Sequence, residues 1–158
     1  LMRKWLLVVA IVWIVGFVMG NAFWYLASPL WIDRVVSEQV PDSGQFTALK
    51  TGTFKNADGA HHGQGTATIT ETRAGQKKVS FTGFEVTNGP DLKVYAVESS
   101  NITDSNSVLQ SRRLNLGTLK GNIGNQNYAL PADLDFTVGA IVIWCEQFSV
   151  LFSAATLK

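Results

Sequence analysis

The hydrophobic pattern of the chain changes character twice. From Trp5 to Leu26 it is one apolar run, WLLVVAIVWIVGFVMGNAFWYL, in which Asn21 is the single conventionally polar side chain. At about 1.5 Å rise per residue this run makes a helix of roughly 33 Å, enough for a hydrocarbon core of about 30 Å with a slight tilt. From Ala27 to Gly44 the pattern lapses into a stretch framed by Pro29 and Pro41 and rich in turn formers. It reads as a connector with at most one short helical turn around Ile32 to Val36. After Gly44 the period becomes two. Short segments rich in Thr, Val, Ile and aromatics follow one another, each closed by Gly, Asn, Asp or Pro, the pattern of strands and turns.

The predicted strands are Gln45 to Phe54, Gly65 to Glu71, Lys77 to Phe84, Leu92 to Val97, Arg113 to Leu119, Asn127 to Leu130, Ala140 to Glu146 and Phe148 to Phe152. Eight short strands without a long helical pattern between them predict an all-β antiparallel sandwich or barrel. In the third, Val79 and Phe81 alternate with Lys78, Ser80 and Thr82, so one face is wet. Ala140 to Trp144 is apolar on both faces and predicts a central strand. The chain thus divides into an anchor over residues 1–27, a connector over 28–44 and one β domain over 45–158.

The apolar run fits a retained single-pass anchor better than a cleaved signal peptide. Gly20 and Ala22 offer small residues at a cleavage position, but the run exceeds the roughly 7 to 15 residues of a signal core. Arg3 and Lys4 precede it, which predicts a cytoplasmic N-terminus and an outer domain beyond the cell's inner membrane, periplasmic or extracellular. Trp5 at one end and Trp24, Tyr25 and Trp31 at the other sit where aromatic belts meet headgroups. Val9, Trp13, Gly16, Phe17, Gly20 and Trp24 share one helical stripe. The small-x-x-x-small pair Gly16 and Gly20 makes it a candidate face for packing against another membrane helix.

Charge and cysteine content narrow the class. The chain carries 13 Lys+Arg against 12 Asp+Glu. Without Arg3 and Lys4 the remainder is nearly neutral, which does not call for nucleic acid or an anionic surface. With one cysteine, the outer domain has no disulfide staple and must rest on buried apolar area.

Two features bear on chemistry. His61 and His62 lie between two predicted strands. Adjacent strand residues point to opposite faces and no third ligand stands at metal-site spacing, so they are weak metal candidates beside the plainer reading of a loop histidine bonded to a backbone carbonyl. Cys145 closes the Ala140 to Trp144 run. No Cys-x-x-Cys motif exists, which leaves single-thiol redox chemistry, metal ligation with a histidine, or simple burial. Glu146 beside it, if close, would oppose the thiolate. No complete catalytic set and no phosphate-cradling loop stands out, and no cofactor is called for.

Four stretches together resemble the DM-thirteen family, described as an electron-transfer domain and often found beside DOMON domains. They are Gly52-Thr53-Phe54 with His62 through Ala67; Phe84 with Asn88 through Tyr95; Leu116 through Asn122 with Gly124 through Tyr128; and Val142 through Cys145 with Phe148 through Phe152. The anchor followed by Ser28-Pro29-Leu30 is similar to prokaryotic members. The resemblance implies an all-β domain outside the cytoplasm and aligns Cys145 with the cysteine proposed as redox-active in the family. Two functions are expected, ahead of a third, a ligand-binding sandwich gripping a sugar or small molecule, for which no specific residue stands out. One is a non-catalytic accessory subunit, with its helix in the lipid bilayer beside an integral membrane complex of respiratory or photosynthetic electron transfer. The other is a redox domain working through Cys145.

Overall fold

In the computed structural model, residues 2–28, 31–40 and 46–158 are described. Pro29, Pro41 and Gln45, which enter the sequence reading, lie outside them, as does the side chain of Leu26. The chain forms two compact units, residues 1–32 and residues 33–158.

The first unit is helix α1 (Met2–Ala27). Its span Met2–Tyr25 is long and apolar enough to cross a membrane, with no residue of its most apolar stretch buried within the chain. Asn21, the polar exception, donates its Nδ2 hydrogen to the Phe17 carbonyl at 2.7 Å. The amide is thereby satisfied inside the helix, which removes most of the penalty of placing it among apolar neighbours.

The second unit is all-β and sandwich-like. Its strands are β1 (Val35–Ser37), β2 (Phe46–Asn56), β3 (Gly63–Thr72), β4 (Lys77–Val86), β5 (Leu92–Val97), β6 (Arg113–Thr118), β7 (Ile123–Leu130), β8 (Ala140–Cys145) and β9 (Val150–Thr156), with a short helix α2 (Ser105–Leu109) between β5 and β6. They form one curled sheet in the order β1-β7-β4-β3-β2-β9-β8-β5-β6. The long strand β2 makes the bend: its first part pairs with β3, while Phe54 to Asn56 pair with β9. Between the two halves lies an apolar core that includes Phe54, Phe81, Phe84, Tyr128, Ile141, Ile143 and Cys145. Phe54 meets Phe81 and Phe84 edge to face at 4.9 and 5.0 Å, the arrangement that ring quadrupoles favour.

Strand β8 is buried at every position. Ile141, Ile143 and Cys145 face the main core, and Val142 and Trp144 face a second cluster with Tyr95, Val97, Val108 and Leu151. The second face is closed by α2, through Val108. That helix starts on a capping box in which Asp104 accepts from the Ser107 amide at 2.8 Å and Ser107 Oγ accepts from the Asp104 amide at 3.2 Å. Two orphan donors at its first turn are thus satisfied.

The eight predicted strands are all present, with shifted ends. β2 runs on to Asn56, β3 begins at Gly63, and β7 begins at Ile123 rather than Asn127. The last strand is β9 at Val150–Thr156 instead of Phe148 to Phe152, because Phe148 is 63% exposed in the turn before it. The connector differs more. Val35–Ser37 is not part of a helical turn but a ninth strand, paired in parallel with Ile123 to Asn125 of β7. The reason lies in two glycines of the partner segment. A Cβ at Gly121 would collide with the Arg34 carbonyl, and one at Gly124, whose φ is +102°, with the Val36 carbonyl. Without side chains there, the connector backbone closes onto the sheet edge.

Ile143→Ala removes a fully buried side chain from the main core without touching any polar contact. The expected loss is about 3 kcal/mol, seen as a fall of roughly 10 °C in the thermal midpoint of the detergent-solubilised chain followed by near-ultraviolet circular dichroism. A shift under 2 °C would mean that β8 does not carry the core as described.

Candidate functional site

Cys145 ends β8 between Leu92 of β5 and Val150 of β9. Its side chain is fully buried and its thiol donates to the Pro90 carbonyl at 3.1 Å. Pro90 belongs to the turn that leads into β5. Asp91 in that turn takes φ +49°, its carbonyl accepts from the Glu146 amide at 3.2 Å, and its carboxylate pairs with Lys93 Nζ at 2.6 Å. Gly89, one residue earlier, lies so close to the Phe152 ring that a Cβ would overlap it. The turn is thus pressed onto the core, with its carbonyl occupying the thiol hydrogen. A thiol held this way is buried and hydrogen-bonded, whereas reactivity requires accessibility.

The Glu146 carboxylate is engaged by a tyrosine. Its Oε2 accepts from the Tyr95 hydroxyl at 2.8 Å, and Asn115 Nδ2 donates to the same hydroxyl at 3.2 Å. Tyr95 belongs to the second cluster, on the other side of the sheet from Cys145. Burial, reinforced by the Glu146 carboxylate, holds the Tyr95 phenol above its ordinary range.

The two histidines lie in the loop between β2 and β3 rather than on a strand. His61 Nδ1 meets Asp58 Oδ2 at 2.8 Å, while Asp58 Oδ1 accepts from the amides of Ala60 and His61, each at 2.7 Å. The partner of His61 is therefore a carboxylate, not a backbone carbonyl. Its ring packs on Phe152 at 4.2 Å between centroids. The bond from His61, with the two amides, pulls the Asp58 carboxyl down to about 2. His62 is exposed, and its amide donates to Thr87 Oγ1 at 2.9 Å. Among the described residues no group of three or more His, Cys, Asp or Glu side chains gathers where a metal would sit. Phe152, against which the His61 ring is tilted, belongs to the same core cluster as Cys145.

Sequence reasoning missed the polar seam at the connector. Asp33 Oδ1 accepts from Asn88 Nδ2 and from Asn122 Nδ2, both at 2.8 Å, and Asn122 Oδ1 accepts from the Arg34 amide at 2.6 Å. At the other end, Glu38 Oε1 pairs with Lys120 Nζ at 2.7 Å, and its Oε2 accepts from the Asn127 amide at 2.8 Å. These bonds, the one from Lys120 foremost, lower the Glu38 carboxyl below its ordinary value. The partners lie more than fifty residues from Asp33 in the chain, so no local motif announces them. Asp33, Asn88 and Asn122 also line one wall of a polar cleft of about 480 Å³, with Asn56, His62 and Glu85 among its other residues.

The stripe residues on α1 are exposed, as are the helix's other large apolar side chains from Met2 to Tyr25. Val9, Trp13, Phe17 and Trp24 are 57 to 74% exposed, and nothing lies within 4 Å of a Cβ at Gly16 or Gly20. The Trp13 and Phe17 rings stack nearly parallel, 6.5 Å apart, beside the glycines.

A family model described as electron transfer DM13 matches residues 53–157. No curated protein and no solved structure matches the chain.

Asp58 binds its proton less readily in the folded chain than in the unfolded one. Its contribution to stability is therefore fully present above pH 3.8 and is lost as the pH falls from there to about 2. Asp58→Asn is expected to lower the urea midpoint at pH 7 and to leave it unchanged at about pH 2. An equal effect at both values would mean that the carboxylate charge plays no part.

Proposed function

The chain belongs to the electron-transfer DM13 family, and on that premise we propose that it is a membrane-anchored accessory subunit of an electron-transfer complex. Its β domain would stand on the outer side and its helix would pack laterally against the partner's membrane helices. The observation that carries this reading is the seam at Asp33 and Glu38. Only residues 28–32 separate α1 from it, and from Asp33 on the chain is bonded into the sheet at both ends of β1. A loose tether would need none of these bonds. They suit a domain whose placement at the membrane matters. The exposed stripe of Val9, Trp13, Gly16, Phe17, Gly20 and Trp24 supplies the lateral contact, through close backbone approach at the glycines and large rings beside them. Arg3 and Lys4 in the first turn of the helix favour the outward orientation.

A second reading gives Cys145 a redox part. It is favoured by the position of the sulfur, which lies directly beneath the turn at Gly89-Pro90-Asp91 and is bonded to one carbonyl of that turn. For this chemistry the turn must open, since a thiol buried beneath it is out of a partner's reach.

Gly16→Leu with Gly20→Leu fills the stripe. After extraction in mild detergent, co-purification of the membrane partner is expected to fall at least about tenfold, while the far-ultraviolet spectrum of the β domain stays unchanged. Undiminished co-purification would overturn the stripe as the contact. In the same preparations, Cys145→Ser keeps the partner under the accessory reading. Under the second reading it also lowers electron transfer through the complex.

A further inference from the structure

The seam and the covered thiol share a segment. Asn88, which donates to Asp33, directly precedes Gly89 and Pro90. The Pro90 carbonyl takes the Cys145 S–H at 3.1 Å, and Gly89 lies against the Phe152 ring. One hydrogen-bonded path therefore runs from Asp33, the first residue of the β unit, through Asn88 to the cover of the sulfur. The strand that follows Asp33 is thin. It is three residues long, at the edge of the sheet, and paired in parallel, the weaker of the two pairings per residue. Such an edge segment opens at lower free energy than the core strands.

We propose that residues 33–39 form a strap that controls the accessibility of Cys145. With the strap docked, Asp33 holds Asn88 and the turn stays closed over the sulfur. When the strap lifts, Asn88 loses its acceptor and the turn opens, admitting solvent to the thiol. The inference rests on the second reading above only in that Cys145 is the group being covered. It supplies what that reading lacks, a route by which a buried thiol becomes reachable.

The test uses the full chain in detergent micelles. The rate at which Cys145 reacts with a small uncharged maleimide is measured beside hydrogen exchange of the peptides covering residues 33–39 and β8. Asp33→Ala removes the acceptor, Gly124→Val expels the strap sterically, and Asp135→Ala, in an exposed ion pair with Arg112, is the control. The expected result is faster exchange over 33–39 and labelling accelerated at least about tenfold in the first two variants, with β8 exchange and the control unchanged. A strap that exchanges faster while labelling stays at the unmodified rate overturns the coupling. So does a strap that remains protected in both variants, and so does exchange accelerated throughout β8, which would make the strap a support of the whole sheet. If labelling accelerates while Cys145→Ser leaves electron transfer intact, the strap stands and the redox reading falls.

Discussion

The β unit depends on a strand with no wet face. β8 places Ile141, Ile143 and Cys145 in one core and Val142 and Trp144 in another, so every residue of it removes apolar surface from water. In a chain whose only cysteine is buried and unbridged, this burial takes the place of covalent staples. The arrangement also dictates the rest. One face needs the opposing half of the curled sheet, which β2 provides by bending from β3 to β9. The other needs a separate cover, which α2 provides through Val108. The Tyr95 hydroxyl of that second cluster is bonded to both Glu146 and Asn115, as burial requires.

The same constraint decides what Cys145 is. Its place at the end of β8 follows from the strand's alternation, and its facing follows from Ile141 and Ile143, two and four residues before it. A sulfur in that position is core first, whatever chemistry it serves. The Pro90 carbonyl completes the arrangement by taking the thiol hydrogen, so the turn and the sulfur satisfy one another. In the structure that contact is closed, which is the structural reading; the proposed redox reading would need it open.

Much of this was legible from the residues. The Ala140 to Trp144 run betrayed a central strand because no polar side chain interrupts it, and the Trp5 to Leu26 run betrayed its helix for the same reason. What escaped is of one kind. β1 is too short for any periodicity, and its justification lies at Gly121 and Gly124, nearly ninety residues away. Those glycines read locally as turn formers, which also hid the start of β7. They are notches for a neighbouring backbone, and a notch is visible only with its occupant in place. α2 escaped because five residues carry no amphipathic period and its box closes with Ser107 in place of the usual Glu or Gln. The pairing of His61 with Asp58 was within reach, three residues apart in one loop, but competed with an equally plausible carbonyl.

The notched edge bears on where the domain begins. The stretch matched by the family description opens at Thr53, within β2, yet the fold reaches back to Asp33. A fragment trimmed to the matched stretch would shed β1 and most of β2. It would bare the flank of β7 with its amides and carbonyls unanswered, a ready template for joining one copy to the next. The unit that inheritance delimits and the unit that physics closes are thus different lengths of chain. The extra length is the piece that follows the apolar helix in the chain.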